Sequence, residues 1–295
     1  MTNTDFYLQK WTSITVSHRI TGEDRTKIPA AEREETPTQS KGDSMKDAAA
    51  FRDRLKQILK PIPRMRSAYH FAARQYQYVL SKVRTPEDIF TDIYRGNKFC
   101  GTDSVSGPGS DLFQTRVVRN ELITVCHYFA VHVMLDIPCG DFHWMKHVDL
   151  EGIDYIGADI VMDLIQKISS QYEASNIHFR KLNLMHDKLP KVDLVFCRDC
   201  LVHLSFKDAF TALHNMCDSG STYLLTTTFT SRAHNRDIAT GQWRTLNLEV
   251  PPFSFPPPLK TVNEECSEGD GAFRDKSLAL WRVEDIGESL TKHST

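Results

Sequence analysis

The chain lacks a long apolar run. Its nearest approach, Leu122 to Leu135, is broken by His127 and His132, well short of the roughly 20 residues that a membrane-spanning helix needs. It also lacks a strong charge of either sign. A net charge of −2 over 295 residues argues against a dedicated nucleic-acid binder, which is usually basic. The opening "MTNTDFYLQKWTSITVSH" shows neither the basic start nor the apolar middle of a secretory signal. Seven cysteines, an odd number without framework spacing, point to free thiols in a reducing compartment. A cytoplasmic location is the expectation. Internal repeats are absent, and ordinary apolar and charged fractions fit one main domain with some appended sequence.

Glycine is scarce at one telling place. In "VHVMLDIPCGDFHWM" (131–145) an apolar run ends in Asp136 and turns through Pro138, Cys139 and Gly140. A loop that holds a dinucleotide needs backbone N–H groups and close approach to the pyrophosphate, hence glycines at 138, 140 and 143. Pro138 and His143 occupy two of those places. Pro138 has no N–H to give, while Asp136 and Asp141 put negative charge where phosphates would lie. Such a loop refuses phosphates and suits a cation. S-adenosylmethionine meets that requirement, because it keeps the adenosine but carries a sulfonium and an ammonium group.

Composition divides the chain. Residues 21–45 are polar, without apolar periodicity, and read as a flexible leader (1–45). From Met45, "MKDAAAFRDRLKQILK" has Phe51, Leu55, Ile58 and Leu59 at helical spacing before Pro61. A second helix is expected over Arg66 to Val83, and a short one from Pro86. These make a basic helical extension over 46–105. Its charge invites attraction to a polyanion or acidic membrane surface, with a solvated helical face as the plainer alternative. In "SGPGSDLFQ" (106–114), Asp111 and Gln114 have the spacing of a capping box, and Arg116 and Arg119 follow in that helix.

Beyond Val131, apolar runs alternate with helical segments. Strands are predicted at Val131–Asp136, Tyr155–Asp159, Ile177–Asn183, Val192–Cys197, Tyr223–Thr228 and Ser277–Val283, the last closing the sheet. Helices are predicted at Val161–Glu173 and Phe206–Cys217. The alternation implies an α/β fold, doubly wound and Rossmann-like, over 106–295. "FTSRAHNRDIATGQWRTLNLEVPPFSFPPP" is too long for an ordinary connection and reads as a cover over the site.

Ligands of such sheets bind outside the carboxyl ends of the strands. Asp159, 23 residues past Asp136, is where ribose hydroxyls are bound, with an exposed turn aspartate as the alternative. Asn183 could present its amide to an adenine edge or serve as a turn residue. Asp199 and His203 are candidates for taking a proton, His203 being otherwise a packed histidine at a helix start. "CRDCLVH" has metal-like spacing in Cys197, Cys200 and His203, but no second cysteine pair completes a site, so no metal is expected. Arg116 and Arg119 are candidates for a carboxylate. Trp243 and Arg244 could grip a planar, acidic or sugar-like substrate, with packing of Trp243 on the sheet edge as the plainer choice.

These residues resemble a known family. "DIPCGD" (136–141) is similar to the first motif of class I S-adenosylmethionine-dependent methyltransferases, and "YIGAD" (155–159) to their second. "LPKVDLV" (189–195) with "FCRDCLVHLS" resembles the segment around their fourth strand. "DIPCGDFHWM", "YIGADIV", "CRDCLVHLSF" and "LLTTTF" together resemble a little-characterised subgroup. The resemblance spans roughly 106–283 and implies the mostly parallel seven-stranded sheet of that class. It further implies that Asp136, Pro138, Cys139, Gly140 and Asp141 line the methionine part of the cofactor. Asp159 would hold the ribose, with Ile160 beside it among the cofactor-binding candidates, Asn183 and Leu184 would face the adenine, and Arg198 would stand beside the cofactor. Arg119, from its place on the helix before the first strand, is a further candidate for the cofactor's carboxylate. Positions 138 and 142 are commonly Gly in the family but are Pro138 and Phe142 here, with Phe142 expected to narrow the loop or lie across it.

The expected function is methyl transfer from S-adenosyl-L-methionine to an oxygen or nitrogen of an acceptor. A small molecule or glycan is favoured and a protein is the alternative; no nucleic-acid partner is expected. The competing readings are a cofactor-binding regulatory protein without turnover and an NAD-dependent oxidoreductase.

Overall fold

The computed structural model describes residues 84–292. The leader and the helices expected at 46–59 and 66–83 lie outside the described residues.

Helix α1 (Pro86–Arg95) begins at a reciprocal cap. The Asp88 N–H donates to Thr85 Oγ1 at 3.2 Å, the Thr85 N–H donates to Asp88 Oδ2 at 3.2 Å, and Pro86 takes the first helical position. Helix α2 (Arg116–Tyr128) begins differently from expectation. Asp111 Oδ1 accepts the Gln114 N–H at 2.7 Å, but the Gln114 amide turns away and bonds Ser267. Only half the box forms, and the helix proper starts after Thr115.

Seven strands follow: β1 (Val133–Asp136), β2 (Asp154–Asp159), β3 (Ile177–Lys181), β4 (Leu194–Cys197), β5 (Tyr223–Phe229), β6 (Lys260–Asn263) and β7 (Lys276–Arg282). Helix α3 (Met162–Tyr172) joins β2 to β3, and α4 (Phe206–Asp218) joins β4 to β5. Helix α5 (Val283–Lys292) follows β7 directly. The sheet order is β3-β2-β1-β4-β5-β7-β6, parallel except where β7 pairs antiparallel with β5 and β6. Strand order reverses between β1 and β4. Two apolar clusters, one around Trp281 and α4 and one around Tyr155 and α2, complete the core.

Burial explains the strand sequences. Leu194–Cys197 is buried throughout and reads as an unbroken apolar run. In β5, buried Thr226 donates to the Cys197 carbonyl at 2.7 Å and Thr228 Oγ1 accepts the Leu248 N–H at 3.2 Å. Those partners make threonine tolerable inside the sheet.

Two expectations are corrected. The Ser277–Val283 strand does not close the sheet, because β6 lies outside it. β6 has only four residues, three of them exposed, too few to show alternation. Helix α5 was not foreseen. The long insert is also not a cover. Its Leu246, Leu248, Phe253 and Phe255 are buried, its backbone pairs with β5 (Phe229 N–H to Leu246 C=O, 2.7 Å), and the "PPFSFPPP" rings pack on Phe206, Phe210 and Trp281.

Candidate active site

The reversal between β1 and β4 opens a crevice at their carboxyl ends, where open α/β sheets bind ligands. A cavity stands there. Its volume open to water centres is about 160 Å³, roughly ten times what one water requires. Its lining includes Asp136, Pro138, Cys139, Gly140, Asp141, Asp159, Ile160, Leu184, Arg198, Asp199 and His203. Segments distant in sequence thus converge on one cavity. Asn183 and Arg119 do not line it.

Asp136 ends β1 and is buried; Tyr155 Oη donates to its Oδ2 at 2.6 Å. Burial pushes its carboxyl up to about 8, against the opposing effect of the tyrosine. Asp159 ends β2, and its two oxygens accept the Val161 N–H (3.0 Å) and the Gly140 N–H (3.3 Å). Burial raises it to about 6 despite those donors. Two buried acids beside one cavity, held up by desolvation, constitute a site that a cation would stabilise.

The turn after β1 depends on Gly140. Its φ is +57°, and a Cβ there would lie 2.3 Å from Ser106 Oγ, so both torsion and space demand glycine. Asp141 is employed differently from expectation. It lines the cavity, but its carboxylate accepts the Ser104 hydroxyl (2.9 Å), the Val105 N–H (2.9 Å) and the His143 N–H (3.3 Å). It therefore ties segment 104–106 across the turn. Phe142 neither narrows nor crosses the cavity. Its ring is buried against Tyr155, Tyr172 and Phe179 at centroid distances of 5.0–5.4 Å. It does so from φ +57°, a torsion that glycine adopts more readily.

Asn183 behaves as a turn residue: its Oδ1 accepts the Met185 N–H at 3.0 Å. Its apolar neighbours Leu182, Leu184 and Met185 form the wall instead. Arg119 lies half-buried on α2 and donates to the Leu112 carbonyl at 3.1 Å, while Arg116 pairs with Glu265 at 2.8 Å. Trp243 packs edge-on to Phe229 and Phe273. Arg244 is buried, bonded to the Leu201 carbonyl at 3.1 Å. None of these four reaches the cavity.

At the end of β4 stands an ionic network absent from the sequence reading. Arg198 donates to Glu264 (2.7 Å) and to the Gly109 carbonyl (2.9 Å), and Lys276 Nζ reaches Asp199 Oδ2 (2.6 Å) and Glu264 Oε2 (3.4 Å). Burial works against the Asp199 charge, but Lys276 and Arg198 outweigh it and hold the carboxyl at about 2. His203 is pushed down to about 4 by burial and is neutral at physiological pH. Its Nδ1 lies 2.9 Å from the Gln242 carbonyl. A carbonyl can only accept, so Nδ1 carries the proton and Nε2 keeps a lone pair. Cys197 is buried in β4, its thiol pushed up chiefly by the neighbouring Cys200 and then by burial. Among the described residues no group of three or more His, Cys, Asp or Glu side chains converges as a metal site would.

Glu264 and Lys276 come from the far side of the sheet, 66 and 77 residues beyond their partners, and no local spacing announces them. Helix α1 contributes Phe90, Ile93 and Tyr94 to the wall, and the following loop Phe99, Ser106 and Ser110. The expected boundary at residue 105 therefore runs through the cavity wall.

Fold and site together define a doubly wound, Rossmann-like α/β protein with a seven-stranded, mostly parallel sheet and an acid-lined cavity at the switch point. No protein-family model matches the sequence, and no curated protein gives a significant match. Among solved structures, magnesium protoporphyrin IX methyltransferase from Synechocystis PCC 6803 with bound S-adenosylmethionine aligns at 13% identity, over 68% of this chain and 97% of that one, with a TM-score of 0.47. Against the same enzyme with bound S-adenosylhomocysteine, the match spans 58% of that chain, at a TM-score of 0.34. Human N-acetylserotonin methyltransferase aligns at 16% identity over 75% and 68% of the two chains, TM-score 0.48. The N-methyltransferase NodS of Bradyrhizobium japonicum WM9 aligns at 15% identity over 65% and 98%, TM-score 0.47. At such identities and scores the likeness decides neither activity nor acceptor.

Proposed function

We propose that the protein is an S-adenosylmethionine-dependent methyltransferase. The observation that carries the reading is the pair Asp136 and Asp159, buried at adjacent strand ends and raised by desolvation beside a cavity. A cationic nucleoside would ionise Asp136 and offer ribose hydroxyls to Asp159. A pyrophosphate would instead meet the carboxylates and the N–H-free Pro138. Gly140 holds the turn beside the cavity in a backbone conformation that suits glycine, with Ser106 filling the place of a Cβ. Leu184, Met185 and Leu182 supply an apolar slot suited to a flat base.

When bound, S-adenosylmethionine supplies a methyl carbon already activated by positive sulfur. The chain must align the acceptor, exclude water and accept a proton. Phe90, Tyr94 and Phe99 enclose the cavity on one side. His203 offers Nε2 as the proton acceptor, its ring fixed by the Gln242 carbonyl.

Thermal denaturation with each ligand tests the assignment. S-adenosylmethionine at a hundred times its Kd should stabilise the folded chain by about 2.7 kcal/mol, and NAD should not. Stabilisation by NAD alone would overturn the assignment. Incubation of cell extract with methyl-labelled S-adenosylmethionine then identifies the fraction that gains label.

A further inference from the structure

We propose, on the methyltransferase reading above, that the acceptor is a planar aromatic amine without an anionic group, methylated on nitrogen beside Asp199 and His203. Phe99 lies against the His203 ring, 4.8 Å between centroids and 40° between planes. Both line the cavity with Trp144 and Ser110, giving an aromatic-walled space for a flat ring.

Charge decides which ring. In the ionic network, the side chains of Arg198, Lys276 and Glu264 are 5%, 6% and 1% exposed, whereas that of Asp199 is 27% exposed. The network thus shows the cavity its Asp199 carboxylate and keeps Lys276 behind the wall, while the mostly buried Arg198 lines it beside Asp199. Of the four lining aspartates (Asp136, Asp141, Asp159, Asp199), Asp136 keeps its proton below about pH 8, Asp159 stands at the cofactor end and Asp141 is tied to segment 104–106. Asp199 is therefore the carboxylate beside His203, against one lining guanidinium, Arg198. That guanidinium is committed to Glu264, Gly109 and Asp199. A carboxylate or phosphate on the acceptor would face repulsion there.

The same carboxylate separates nitrogen from oxygen. Attack by an amine nitrogen develops positive charge on that nitrogen, which a fixed neighbouring anion stabilises. A hydroxyl is a far weaker nucleophile unless its proton is removed before or during attack, and the oxyanion character that this builds is opposed by that anion. Asp199 is not free to act as the base either: Oδ2 is held by Lys276 at 2.6 Å and Oδ1 by the Thr227 hydroxyl at 3.3 Å. His203, depressed to about 4, suits a proton that becomes acidic only after methylation. In the step, the amine lone pair forms an N–C bond to the donor's methyl carbon while the C–S bond breaks. The C–S electron pair stays on sulfur, leaving a neutral thioether. The ammonium then gives its proton to His203 Nε2 and on to water.

Calorimetry tests this on the full chain. A first titration with S-adenosylhomocysteine establishes the cofactor site; no binding there defeats the methyltransferase reading itself, before any acceptor is added. With that site saturated, aminoindole, hydroxyindole and indole carboxylate, substituted at the same ring position, are titrated in turn. Aminoindole should bind about tenfold or more tighter than the carboxylate, the effect of one poorly screened like-charge contact. With methyl-labelled S-adenosylmethionine, label should appear on the aminoindole nitrogen, and Asp199→Asn should lower kcat for it more than it raises KM. Carboxylate binding as tight as amine binding, no amine binding, or preferential labelling of the hydroxyl would each overturn the proposal.

Discussion

Asp136 shows how a residue's environment can reverse its ordinary chemistry. A surface aspartate is charged at neutral pH, but desolvation pushes this one up to about 8. A cation that requires the ionised form must first drive off the proton. The affinity for S-adenosylmethionine should therefore rise with pH, by up to about tenfold per unit below pH 8, and level off above it. Calorimetry across that range measures the slope. Asp136→Asn should abolish the slope and weaken binding throughout, and an unchanged slope would remove Asp136 from the cofactor site. The sequence carried fair warning of this residue, since an acid ending an apolar run before a proline turn was legible. It gave none of Tyr155 as partner, because a strand's register, not its composition, brings Tyr155 opposite Met134 and its hydroxyl to Asp136.

Among the elements, α1 and the insert act on the site from opposite sides. Helix α1 forms part of the wall and is started by the Thr85–Asp88 box. Thr85→Ala should cost about 1 kcal/mol, appearing as faster amide exchange over 86–90 and weaker cofactor binding. The insert works from behind. Its backbone bonds the 201–203 turn (Gly241 N–H to His203 C=O, 2.8 Å; Arg244 N–H to Val202 C=O, 3.1 Å) and supplies the Gln242 carbonyl that fixes His203. Asn235 and Asn247 hold it together: the Asn247 N–H donates to Asn235 Oδ1 at 2.9 Å, and Asn235 Nδ2 donates to the Asn247 carbonyl at 2.7 Å. Asn247→Ala removes the side-chain bonds to the Thr230 carbonyl (3.4 Å), the Arg232 carbonyl (2.9 Å) and the Glu249 N–H (3.0 Å) and should cost about 1–3 kcal/mol, read by urea denaturation. Length alone marked the insert as unusual. That it packs under the site rather than over it follows from Phe253 and Phe255, whose burial against α4 and Trp281 a local reading of a proline-rich run does not reveal.

At the scale of the whole molecule, the buried charges give the protein a definite pH response. Asp136 and Asp159 hold protons in the folded state, from 3.8 up to about 8 and about 6 respectively. Unfolding releases those protons within these windows, so both acids make stability fall as pH rises. His203 has the opposite sign. Its folded value lies near 4, below the ordinary 6.5, so the unfolded chain binds the extra proton and stability rises with pH between them. Replacing His203 with Gln should flatten that rising component, as measured by denaturation midpoints over the same range. The network imposes a steeper condition. Glu264→Ala removes the most deeply buried carboxylate of the network, leaving Arg198 and Lys276 to Asp199 and the charge of Glu268, and should cost about 3–5 kcal/mol, again by denaturation.

The sequence by itself determined the layered α/β plan and most of the strands that carry the site. Buried parallel strands must be continuously apolar, and their carboxyl ends must bear whatever polar chemistry the protein performs. Asp136, Gly140, Asp159, Asp199 and His203 were legible for that reason. Tertiary structure decided what each of them does. It spent Asp141 on segment 104–106, withdrew Asn183 into a turn, sent Phe142 into the core, and tied Asp199 to Lys276 across the sheet. Those outcomes depend on groups brought together from distant parts of the chain, and burial then sets the charges they carry. No local pattern of residues encodes that proximity.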